Sequence, residues 1–183
     1  MQYTYPDTAE TYELMDKMEM MQSIREHSAL VRDVCRIIYR NLKNSDNLDI
    51  ELIETSALLH DITKSRAIRT GESHADTGAE LLLEMGYPAV AEIILSHVHL
   101  NSVDINLPLT ASEIVHYADK RVKHSTVVTI RERIDDLIER YGRTEDIRIQ
   151  IKSRISGLEA LENKIRSNLI RDIEPDLFRL NEK

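Results

Sequence analysis

Residues that interrupt regular structure are scarce in this chain: Gly occurs five times and Pro four times in 183 residues. Such rarity favours long uninterrupted elements. Leu, Ile, Glu, Arg and Ala dominate between them, and these residues suit helices better than sheets. Aromatic residues contribute only 4%, with no Trp and one Phe. An all-α fold is therefore predicted, as one domain over residues 1–183. The chain is long enough to bury a sizeable core without disulfides.

Hydrophobic periodicity places the helices. After a loose tail over residues 1–7, a short helix is expected from Thr8 to Met21. A strongly amphipathic helix follows from Ile24 to about Leu42, with His27, Leu30, Val31, Val34, Ile38 and Leu42 on one stripe. Asp49 is a plausible N-cap for a helix carrying Ile53, Ala57, Leu58 and Asp61. Thr63 to Ser73 reads as a loop. The next helix runs from about His74 to Met85 and ends at Gly86. Pro88 suits the first turn of another, striped by Val90, Ile93, Ile94 and His97. Asn101 to Pro108 reads as a loop. A helix from Thr110 to Val122 presents Ile114, Val115, Ala118, Asp119 and Val122 together. Helices from Val127 to Tyr141 and from Asp146 to about Leu169 close the pattern, and Pro175 interrupts any extension. The last two helices carry no obvious chemistry. They are read as a hairpin over about 125–170, packed on the domain or supporting a homodimer.

Composition excludes several classes of function. No apolar run approaches the roughly 18 residues of a membrane span, and Met1 to Glu13 does not resemble a secretory signal. A single cysteine, Cys35, rules out an internal disulfide framework and any Cys-rich zinc module. A reducing, cytoplasmic setting fits, with Cys35 as a small buried hydrophobe. The net charge of −8 disfavours broad binding to nucleic acid. A small anionic substrate, which responds to local charge, remains compatible.

The informative feature lies on the apolar stripes. Five helices each bring a His or Asp there: His27, the pair His60-Asp61, His74, His97 and Asp119. A stripe faces the core, and a buried carboxylate without a partner is strongly unfavourable, so Asp61 and Asp119 should have cationic partners. A lone stripe His is usually a satisfied core residue. Four His and two Asp arriving from five helices instead point to one or two metal ions. Imidazole with carboxylate suits Fe, Mn, Zn or Co. Six ligands fit two metals sharing a bridging carboxylate.

The stretch Ala57-Leu58-Leu59-His60-Asp61-Ile62-Thr63-Lys64 resembles the signature of the HD-domain metal-dependent phosphohydrolases. Many members have His-Asp-Ile-Gly-Lys there. His27 resembles the family's first ligand. His74, shortly before Gly78-Ala79, resembles the His ahead of a Gly-Ala pair, His97 the later His, and Ala118-Asp119 the closing pair. The resemblance spans roughly residues 24–124, and the ordered set is a far more specific signal than a His-Asp dipeptide. It implies an HD-domain helical bundle with a C-terminal helical extension. His27, His60, Asp61 and Asp119 would hold a first metal, and Asp61 would bridge to a second held by His74 and His97. Thr63 departs from the family's Gly. The family's paired adjacent His is here split into His97 and His99. His99 is turned about 200° from His97 around the helix, so His97 is the expected ligand and His99 a substrate-side candidate.

Basic residues flank two of these positions: Lys64, Arg66 and Arg69 after the first, Lys120, Arg121 and Lys123 after the second. Solvated surface is the ordinary fate of such residues. Lys64, three residues past Asp61, is the one favoured here for meeting phosphate. His116 and His124 are read as packing or surface residues, with His116 a candidate for the layer behind the ligands. Gly86-Tyr87-Pro88 reads as a helix connection. The expected function is a phosphohydrolase that cleaves a phosphate monoester or anhydride of a nucleotide with a metal-activated water. Asp61 and Lys64 would be the catalytic side chains. Two alternatives share the ligand set: an HD-fold diiron oxygenase and a non-catalytic regulatory HD domain.

Overall fold

In the computed structural model the described residues are 4–98, 100, 103–141 and 143–182, with the side chains of 141 and 146–156 outside that set. Their regular structure is almost wholly helical: α1 (Thr8–Lys17), α2 (Gln22–Arg40), α3 (Ile50–Leu59), α4 (Lys64–Thr70), α5 (His74–Glu84), α6 (Pro88–Ser96), α7 (Ala111–Lys120), α8 (Ile130–Tyr141), α9 (Glu145–Ser167) and α10 (Glu174–Phe178). A two-residue hairpin, β1 (Val122–Lys123) with β2 (Thr126–Val127), joins α7 to α8, pairing Val122 with Val127. No helix among the described residues is long and apolar enough to cross a membrane.

Local chemistry starts the helices. Asp7 and Glu10 form a reciprocal capping box on α1, as do Thr110 and Glu113 on α7. Asp49 accepts the Leu52 amide as the N-cap of α3, and Ser73 does the same for the Asp76 amide at α5. Pro88 occupies the first turn of α6.

Three elements differ from the sequence reading. The stretch expected as a loop over Thr63–Ser73 contains α4, which ends on Gly71 in the left-handed conformation at φ 75°. The helix expected to reach Val122 stops at Lys120, and the hairpin takes over. A separate short helix not expected from the pattern, α10, follows α9, with Pro175 in its first turn, where the missing N–H costs nothing.

The amphipathic α2 packs against α3 and α7, while α5 and α6 pair and α6 leans on α3 and α7. Val31, Val34, Cys35, Ile38, Ile53, Leu59, Ile94, Ile114 and Val115 are buried in one contiguous core. The C-terminal helices join the same core: Leu158, Leu161, Ile165 and Leu169 are buried against it. Ile151 and Ile155, the other members of that expected stripe, lie outside the described side chains.

Two ion pairs fasten the C-terminal part to α7. Lys164 on α9 is buried and donates to both Glu113 oxygens, at 2.7 and 2.9 Å. Arg121, just past α7 and fully buried, forks onto Glu174 of α10 at 2.9 and 2.8 Å, and also donates to Tyr117 Oη and the Val128 carbonyl. Both contacts fix the helix that carries Asp119.

Candidate metal centre

His60 and His97 share one local device. Each is the residue just past an apolar helix, α3 and α6 respectively. Each folds back so that its Nδ1–H donates to a carbonyl of the last turn, Ala57 for His60 at 2.8 Å and Ile94 for His97. Each ring thus adds a side-chain donor to the carbonyls at its helix end, where the Ile94 carbonyl also accepts the His97 amide. A carbonyl can only accept, which puts the proton on Nδ1 and leaves Nε2 as the electron-pair donor. His27, on α2, is fixed in the same tautomer: its Nδ1–H donates to the His124 carbonyl at 3.0 Å. His124 turns the hairpin in the left-handed region, at φ 55°, and so delivers that carbonyl. Three imidazoles thereby present Nε2 to one space, as a metal ligand set requires.

The carboxylates meet those nitrogens. Asp119 Oδ1 lies 3.0 Å from His27 Nε2 and 3.6 Å from His60 Nε2. Asp61 Oδ2 lies 3.3 Å from His60 Nε2, while its Oδ1 lies 3.3 Å from His74 Nε2 and 3.7 Å from His97 Nε2. The His74 and His97 Nε2 atoms are 3.2 Å apart. The rings of His27, His60, His97 and His74 follow one another at centroid spacings of 5.3, 5.0 and 5.2 Å. Two ligand groups result, His27-His60-Asp61 and Asp61-His74-His97, and Asp61 belongs to both. All six residues expected from the sequence are gathered at one place.

The donor set fits a metal. His60 Nε2 and Asp61 Oδ1 are buried polar atoms with no hydrogen-bond partner among the described residues. Such atoms are rare and costly unless something else meets them. Cationic side chains partner the outer oxygens: Lys64 Nζ sits 2.6 Å from Asp61 Oδ2, and Lys120 Nζ 2.5 Å from Asp119 Oδ2.

Burial alone would lower the His60 pKa, yet the charges of Asp61 and Asp119 prevail and raise it to about 10. Burial works against ionising the two carboxylates as well. His60 and its neighbours outweigh it at Asp61, and Lys120 with His27 outweighs it at Asp119, so both stay well below the usual carboxylate range. His74 is pushed down to about 4, chiefly by burial. Both carboxylates thus stay ionised in a buried place, and a divalent ion would meet that charge.

Some residues behave differently from their sequence reading. Lys120 is a direct partner of Asp119 and also reaches the His97 carbonyl at 3.3 Å. His116 is buried and donates from Nδ1 to the same carbonyl at 2.8 Å, bracing His97 from behind. Arg66 turns to Glu72, and Arg121 turns into the core. His99 lies outside the described residues. Thr63, standing at the family's Gly position, donates from Oγ1 to the His74 carbonyl at 2.8 Å and so anchors the start of α5. Cys35, by contrast, is buried as its sequence reading has it, and burial holds its thiol far above the usual range.

The family model of the HD domain matches residues 24–161. The chain belongs to the HD domain family. An uncharacterized protein of Methanocaldococcus jannaschii is 28% identical over 131 residues, which is 66% of this chain and 76% of the relative. The crystal structure of a predicted HD superfamily hydrolase from an uncultured Thermotogales bacterium is 22% identical, with a TM-score of 0.49 and coverage of 88% of this chain and 92% of that one. The matched HD domain runs past Asp119 to include the hairpin, α8 and most of α9.

Proposed function

We propose that this HD domain is a metal-dependent phosphohydrolase that acts on a phosphate monoester or anhydride of a small molecule, a nucleotide being the favoured class. The observation that carries the reading is Asp61. It is shared between the two ligand groups, and Lys64 stands 2.6 Å from one of its oxygens. His27, His60, Asp61 and Asp119 would hold one divalent ion, and Asp61, His74 and His97 a second, drawn from Fe, Mn, Co or Zn. When bound, such ions supply a water of lowered pKa and neutralise phosphate oxygens.

The chain's own groups do the rest. Asp61 and Asp119 accept hydrogen bonds and orient the attacking water. Lys64 presents an ammonium to the charge that builds on the phosphate in the transition state. The backbone carbonyls behind His27, His60 and His97 keep each Nε2 aimed inward, so little reorganisation is needed. We further propose a cytoplasmic setting, which the buried lone thiol of Cys35 supports.

The test is Lys64→Ala in a strictly anaerobic phosphate-release assay over nucleotides, with manganese, iron or cobalt supplied in turn. Loss of one preorganised charge typically costs about 10²–10³ in rate. The expected result is a fall of that order with both metals retained by elemental analysis. Turnover that requires oxygen and ignores Lys64→Ala would overturn the reading in favour of a diiron oxygenase. No phosphate release from any nucleotide by the metal-loaded wild type would overturn it as well.

A further inference from the structure

A second group of charges lies beside the metal centre and belongs to neither ligand group. Asp136, on α8, is almost fully buried and is contacted by three cations: Lys123 Nζ at 2.7 Å, Arg140 Nε at 2.9 Å and Arg133 Nη1 at 3.2 Å. Three cations thus converge on one buried carboxylate, with Glu132 also near Lys123, in a chain of net charge −8. Arg133 adds a sharper mark. Its Nε–H is buried and has no hydrogen-bond partner among the described residues. An unmet buried donor costs about 1–3 kcal/mol, and a guanidinium fork matches the oxygens of a phosphate.

The cluster reaches the metal centre through one residue. Arg140 Nη2 lies 2.7 Å from His124 Nε2, and the His124 carbonyl accepts from the Nδ1 of His27. Arg133 and Lys64, the partner of Asp61, are near enough for their charges to repel weakly. A scissile phosphate at the centre already has Lys64 and the ions. An anion held by Arg133 would be a different group of the same molecule.

We propose that Lys123, Arg133 and Arg140 form a subsite for a second phosphate joined to the scissile one, so that the substrate is a phosphate anhydride and not a simple monoester. This rests on the phosphohydrolase reading of the centre. Asp136 sets the fork of Arg133, and its carboxylate limits the positive charge so that the subsite binds without trapping product.

Calorimetric titration of the manganese-loaded protein tests it with three probes: methylphosphonate, methylenediphosphonate and phosphonoacetate. The ions alone favour a two-headed ligand, so the change on mutation is what counts. Loss of a hydrogen bond to a charged group corresponds to about tenfold or more in affinity. Arg133→Gln should therefore weaken methylenediphosphonate by about tenfold or more and leave methylphosphonate unchanged. Lys123→Gln, at a side chain 36% exposed, should act in the same direction with the fold undisturbed, and it decides the matter if Arg133→Gln does not fold. Equal weakening of both phosphonates, or no weakening of methylenediphosphonate, overturns the subsite. Equal sensitivity of phosphonoacetate to the variants overturns the anhydride assignment. If variants weaken methylenediphosphonate alone while the wild type releases no phosphate from any nucleotide, the subsite stands and the hydrolase reading falls. Phosphate release with methylenediphosphonate binding untouched by the variants means the reverse.

Discussion

Asp61 has two oxygens with different neighbours. Oδ2 meets Lys64 and His60, whereas Oδ1 meets the nitrogens of His74 and His97. A carboxylate placed so belongs to both ligand groups, and its loss should be felt by both. Asp61→Ala is expected to bind neither ion, while His97→Ala keeps the ion on the His27 side and mainly weakens the other. Elemental analysis after dialysis reads this directly, and two ions retained by Asp61→Ala would remove Asp61 from its bridging place. At this scale the sequence was informative where burial conflicts with polarity. His27, His60, Asp61, His97 and Asp119 are buried on or just past apolar helices, so their chemistry was legible. Lys120 was not, because a Lys next to an Asp reads as ordinary surface, and only the fold shows it 18% exposed against the Asp119 carboxylate. The role of His124 was illegible for a related reason: its contribution to His27 is a backbone carbonyl, which any residue type possesses.

The helices that hold the ligands span 9 to 19 residues with apolar periodicity, and their existence followed from pattern. The elements that orient the ligands are short. Strands of two residues have no period to detect, and α4 begins in a polar Thr-Lys-Ser run that resembles a loop. The hairpin brings the His124 carbonyl to His27, and α10 brings Glu174 to Arg121, so the missed elements are those that tune the site. The Arg121–Glu174 fork offers a test at this level. Removing one partner of a buried ion pair costs roughly 3–5 kcal/mol, and Glu174 is 23% exposed, which argues for the lower end. Glu174→Gln should therefore destabilise the protein by about 3 kcal/mol in urea denaturation while the metal content stays intact. An unchanged urea midpoint would show that α10 is not fastened through this pair.

For the molecule as a whole, the metal-free protein should be most stable near neutrality. His74 and His116 are pushed from 6.5 to about 4, chiefly by burial. Between those values the unfolded chain binds more protons, so stability is lost as the pH falls from 6.5 towards 4. At His60 burial lowers the pKa but the carboxylates outweigh it, and the value rises from 6.5 to about 10. Its contribution is complete below 6.5 and is lost as the pH climbs through 10. Urea midpoints recorded across pH should form a dome, and a flat profile from 4 to 10 would contradict these environments. Metal at a hundred times its Kd adds about 2.7 kcal/mol, and it should flatten the alkaline limb because neutral imidazole is the form that binds. The contact between His27 and Asp119 joins positions 92 residues apart in the chain. Closing so long a loop belongs to the slow, late part of folding. The ligand nitrogens and oxygens converge only after α2 and α7 have docked, so ion capture follows the rate-limiting barrier. The refolding rate should therefore ignore added metal, and the gain in lifetime should appear almost entirely in slower unfolding.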